Sequence, residues 1–188
     1  VETLKKKKNG EVLFTLTKFN SYGKKKTYIT KEIKKVEKLD KNTYQPNGMT
    51  PLYDACVEAI ETVVAEIKGK DNPTAVLTVI MTDGEENSSQ KHTEKCLSDL
   101  IGKLQKQGNW TFVFLGANQD AWGKAARLGI SQSNAYTWAS TDRGTTGVFA
   151  DMAGGTVNYI ASMASNQSKG VSLNTASFFD KTAGGDKK

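Results

Sequence analysis

The chain has 188 residues, 37% of them apolar, with 26 Lys and Arg against 20 Asp and Glu for a formal net charge of +6. That length suits one domain that buries roughly two thirds of the surface its unfolded chain exposes. One His and two Cys outside any CxxC pattern exclude the usual zinc centres, and no apolar run approaches the roughly 18 residues of a membrane span.

Residues 1–8 read as the last turn of a helix, since Lys5, Lys6, Lys7 and Lys8 suit a helix C-terminus and Asn9 with Gly10 makes a left-handed stop. Residues 11–20, EVLFTLTKFN, alternate and are rich in β-formers. A turn over 21–26 then leads into a more solvated strand, KTYITKEIKKV, so the two predict an edge hairpin whose lysines discourage edge-to-edge pairing. Residues 1–41 hold 13 Lys and five acids, which leaves 13 cations and 15 acids for the rest. The basic character is therefore local.

Further on, Thr50 reads as an N-cap and Pro51 as the first helical residue. Leu52, Cys56, Ala59, Ile60, Val63, Val64 and Ile67 recur at helical spacing up to Gly69. After Asn72 and Pro73, AVLTVIMT is a continuous apolar run that stops at Asp83 and Gly84, as expected of a strand buried on both faces in the middle of a parallel sheet. A helix over 93–107, a strand over 110–116, a helix over 120–128, a weaker strand over 135–140 and a helix over 145–164 complete the alternation. Its implication is an α/β fold, a doubly wound, mostly parallel sheet with helices on both faces and one antiparallel edge hairpin. Residues 1–165 form the domain. Residues 166–188 read as a tail, mobile or docked through Phe178 and Phe179. Cys56 and Cys96 read as reduced, buried thiols of a cytoplasmic protein.

In such sheets ligands bind outside the carboxyl ends of the strands. Thr50, at the mouth of the long helix, and Asp83, at the tip of the apolar strand, offer hard oxygens of the kind magnesium takes. Glu85 and Glu86, after the same strand, and Asn118 and Asp120, after the next, rim that face. Asn118 and Asp120 also suit turn and N-cap roles. GANQDAWGKA has six residues between its glycines and Ala125 where a phosphate loop needs Ser or Thr. It is therefore not a phosphate loop, and no GxGxxG follows a strand, which argues against a dinucleotide. His92 has no nucleophile partner and reads as a surface residue at a helix start. No acid, base and nucleophile set supports an enzyme.

GMTPLYDA followed by VLTVIMTDGEEN resembles the von Willebrand factor A (VWA) family of intracellular bacterial or phage type, over about residues 11–164. The resemblance implies a Rossmann-like fold with a metal-ion-dependent adhesion site (MIDAS). There Thr50 and Asp83 would hold Mg2+, and a partner's acidic side chain would complete the shell. It also implies a first strand ending in D-x-S-x-S, and no such motif occurs in the chain. The serines around 131–133 and 139–142 have the wrong order and follow the wrong strands. The expected complete gene product is longer by about 30 residues, the length of a strand with its crossover helix. The function so implied is a non-enzymatic protein-interaction module. The alternative is a nucleic-acid-binding protein using the Lys-rich N-terminal segment, although Phe19, Tyr22, Tyr28 and Tyr44 are scattered rather than set as a stacking platform.

Overall fold

The computed structural model describes residues 1–6, 11–40, 42–43, 45, 47–69, 74–118, 120–175 and 177–179, with residues 24–27 and 168 described by their backbone alone. Lys7, Lys8, the expected stop at Asn9 and Gly10, Tyr44, the expected turn at Asn72 and Pro73, and residues 180–188 lie outside the described residues. The chain divides into two compact units, Val1–Asn72 with Gly84–Leu100, and Pro73–Asp83 with Ile101–Lys188.

The first unit opens with a single turn, α1 (Glu2–Lys5), followed by an antiparallel hairpin of β1 (Leu13–Asn20) and β2 (Gly23–Glu32). The hairpin turn is shorter than the sequence suggests, because Asn20 already pairs with Gly23 around the two residues Ser21 and Tyr22. Two irregularities interrupt the ladder, between Phe14 and Leu16 and between Leu16 and Thr17. Thr30 beside them takes φ 44°, a conformation costly for a β-branched residue. Its N–H donates to Thr15 Oγ1 at 3.0 Å and its hydroxyl to Glu66 at 3.2 Å, which holds the distortion in place. A 3-10 turn (Ile33–Lys35) leads away from β2, and α2 (Leu52–Ile67) packs against both strands. Leu52, Ala55, Cys56, Val57 and Ile60 are buried along one side of α2, as the helical spacing requires.

The second unit is built on a parallel sheet in the order β3-β4-β5, formed by Val76–Thr82, Trp110–Ala117 and Ala135–Trp138. All eight residues of β4 are buried, whereas β3 is buried only at Val76, Ile80 and Thr82. Among the described residues the middle place expected for the run ending at Asp83 is held by β4. β4 is flanked by a strand on each side, while β3 pairs with β4 alone among the described residues. Between the strands run α3 (Glu94–Gln105), within which the division between the units falls, and α4 (Ala121–Arg127).

The last helix, α5 (Asp142–Lys169), is longer at both ends than its sequence pattern indicates. Thr141 caps it by accepting the Gly144 N–H at 3.1 Å, and Gly170 ends it at φ 66°. Val148, Tyr159 and Met163 of α5 join Val113, Leu115, Ala117 and Trp138 in one apolar cluster, which also takes in Leu173 and Phe178. Residues 171–175 and 177–179 are thus docked. Asn134, 2% exposed, donates to the carbonyls of Phe112 and Thr175 and accepts the Phe178 N–H at 2.7 Å. Gly155 of α5 makes room for the Phe178 ring, whose Cε1 would lie 2.7 Å from any Cβ at that position. The described residues thus form a mixed α/β fold with a parallel three-stranded sheet and a separate antiparallel pair.

Candidate functional site

The first-turn N–H groups of α2 find their acceptors in a loop more than thirty positions away in sequence. Pro51, at φ −77° and ψ 66°, is itself the cap residue, and no side chain of its own caps the helix. The expectation of Thr50 as N-cap is therefore corrected. The Thr50 N–H donates to Asn87 Oδ1 at 2.8 Å, the Tyr53 N–H to Glu86 Oε2 at 3.1 Å and the Asp54 N–H to Ser89 Oγ at 3.2 Å. A carboxylate near a helix N-terminus also suits the positive end of the helix dipole.

The loop is held in return. Asp54, 4% exposed, accepts the backbone N–H groups of Gln90 at 3.0 Å, Lys91 at 3.1 Å and His92 at 2.8 Å. Glu86 accepts from the Ser88 N–H, the Ser89 N–H and the Ser89 hydroxyl at 2.7–2.8 Å. Burial would raise the Glu86 carboxyl, but the hydrogen bonds from Ser89, Tyr53 and Ser88 outweigh it and leave the group below the ordinary glutamate value. Glu86, expected to face a partner, thus spends its oxygens inside the loop. Gly84 lies against Thr50, and a Cβ there would sit 2.5 Å from Thr50 Oγ1, so the close approach requires glycine. The Ser88 hydroxyl is buried with no hydrogen-bond partner.

Asp83 is exposed and directly follows β3 in the second unit. At the end of β4, Asn118 takes φ 50°. Its N–H donates to the Trp138 carbonyl at 2.9 Å, and its Oδ1 accepts the Ser140 N–H at 2.9 Å, tying the ends of β4 and β5 together. Asp120 caps α4 by accepting the Gly123 N–H at 2.9 Å. Both residues occupy the strand-tip face named from sequence, and both have structural work there. Glu85 is exposed on the clamped loop.

A magnesium ion takes six oxygens in near-octahedral geometry, some of them water, and leans on carboxylates for charge. The residues named for it are one hydroxyl, Thr50, and one carboxylate, Asp83. The neighbouring acids Glu86 and Asp54 are engaged by the N–H groups above. Among the described residues no three His, Cys, Asp or Glu converge as a metal-binding group. The donors present do not by themselves fit the ion.

No family model, curated protein or solved structure matches the chain. Among the described residues no helix is long and apolar enough to cross a membrane. The cysteines differ. Burial, with the Glu86 charge adding to it, pushes the Cys56 thiol up to about 12. Cys96 is exposed at the start of α3, contrary to expectation, and hydrogen bonds from Thr93 hold its thiol below the ordinary value. Sequence reading missed Asp54 and Asn87 as loop-holding residues. The one available signal was an acid in the first turn of a helix, Asp54, where backbone N–H groups are unsatisfied.

Proposed function

We propose that the chain is a non-enzymatic, VWA-like protein-interaction module working in the cytoplasm, whose partner docks at the C-terminal ends of the parallel strands. The observation that carries this reading is the positioned loop 84–92. It leaves the strand-terminal Asp83, and two locked carboxylates fix its backbone and present Glu85 outward. A loop whose backbone is already held in place suits recognition, because little ordering entropy is lost on binding. On this reading β3-β4-β5 is part of a doubly wound sheet, and the unpaired side of β3 is the place for one more strand.

Two measurements test this reading. A photocrosslinking residue at Asp83 or Asp120 should capture a protein from the host extract while one at Gln107, before the start of β4, does not. Equal capture from all three positions, or none from the first two, would overturn it. Titrating magnesium into the 188-residue chain should show no saturation in the millimolar range, and Asp83→Ala should leave that titration unchanged.

A further inference from the structure

The ladder of the β1–β2 hairpin sets lysine opposite lysine. Lys18 pairs with Lys25, while Lys24, Lys26 and Lys31 stand opposite Phe19, Thr17 and Phe14. In that register no strand lysine is paired with an acidic residue. The one acid within the two strands, Glu32, stands opposite Leu13 and is 2.7 Å from Lys35 Nζ. The described lysines are held by neutral groups, Lys18 donating to the Thr43 carbonyl and Lys31 lying 4.6 Å over the Tyr28 ring. Five cations against one paired acid thus occupy a ribbon two strands wide.

Protection against edge pairing needs one or two lysines on an outer strand. It does not need a like-charged pair directly across the ladder, which weakens a hairpin until a counter-charge arrives. At the apex, Tyr22 is 82% exposed beside the lysine-bearing positions. The Ser21 hydroxyl accepts the Met49 N–H at 2.9 Å and Asn20 donates to Asn47 at 2.8 Å, so the tip is anchored rather than loose.

We propose that this hairpin is a binding ribbon for double-stranded DNA, with the lysines on phosphates and Tyr22 as an aromatic contact at the tip. A two-stranded ribbon fits the DNA major groove, which is about 12 Å wide, and four lysines on β2 with Lys18 on β1 suit a polyanion. The contacts go to the backbone, so binding is independent of base sequence.

The test is fluorescence anisotropy of a short labelled duplex titrated with the 188-residue chain over a range of salt. Each neutralised phosphate contributes roughly −0.9 to the slope of log affinity against log salt, so three to five contacts give about −2.7 to −4.5. Replacing Lys24, Lys25 and Lys26 with Gln should cut affinity more than tenfold and flatten the slope by about 2.7. Tyr22→Ala should weaken binding with the slope unchanged, a result that does not depend on the triple variant folding. The proposal is overturned if the duplex does not bind at low salt, if the Lys24, Lys25 and Lys26 variant binds as wild type, or if labelled polyglutamate of equal charge binds as tightly. The last outcome would point to an acidic polypeptide as the ligand.

Discussion

Two carboxylates hold one loop, and they do it differently. Asp54 is almost wholly buried and takes three successive backbone N–H groups, whereas Glu86 is partly buried and bridges the loop to the first turn of α2. Hydrogen bonds to a charged acceptor are worth about 1.5–3 kcal/mol each, and Gln keeps the shape while losing the charge. Glu86→Gln should therefore lower stability by about 1–3 kcal/mol at neutral pH. Because the folded-state carboxyl titrates below its unfolded value of 4.5, its contribution is complete above that value and is lost as pH falls through the lower folded value. The melting temperatures of wild type and Glu86→Gln should thus differ at pH ~7 and converge as pH falls through the folded-state value, which lies below 4.5. A constant gap down the pH range would show that the ionised carboxylate is not what holds the loop.

At the scale of elements, α5 carries two adjacent glycines with opposite requirements. Nothing lies within 4 Å of a Cβ at Gly154, while one at Gly155 meets the buried Phe178 ring at 2.7 Å. Gly to Ala in a helix is ordinarily worth about 0.5–1 kcal/mol. Gly154→Ala should therefore stabilise by that amount, and Gly155→Ala should destabilise by about 1–3 kcal/mol through overpacking. In a Phe178→Ala background the Gly155→Ala penalty should vanish, since the two positions share one contact. Urea denaturation of the four variants decides it, and additivity would mean that the C-terminal segment is not packed against α5. This docking was half legible. Phe178 and Phe179 stood out as anchors in a polar stretch, but nothing local marked Asn134, forty-four residues earlier, as the group that receives the Phe178 N–H. The long helix was underestimated because Gly144, Gly147, Gly154 and Gly155 dilute its periodicity. α2 and α3 were readable because Leu97, Ile101 and Leu104 or Ala55, Cys56 and Ile60 repeat without interruption. The cap of α2 was not, since its acceptors arrive from Glu86, Asn87 and Ser89.

For the molecule as a whole, the question is how hydrogen bonding is shared among strands. An apolar run says that a strand is covered above and below, and nothing about whether it has neighbours on both sides; that is why β3 read as central and β4, equally apolar, holds that place. Amides of β4 should exchange with deuterium more slowly than any others, while those on the unpaired side of β3 exchange orders of magnitude faster. Uniform protection along β3 would mean that its outer edge is bonded. The division of the chain has a further consequence for how the protein can be taken apart. The sequence leaves the first unit after Asn72, contributes β3 to the second, returns for Gly84–Leu100 and leaves again inside α3. Each unit is therefore discontinuous, and no single scission releases either one whole. A gene fragment ending before β3 lacks the loop whose N–H groups donate to Asp54, and one starting at β4 lacks a strand. Dissection would need the loop 84–92 and α3 expressed together with the hairpin as two associating pieces.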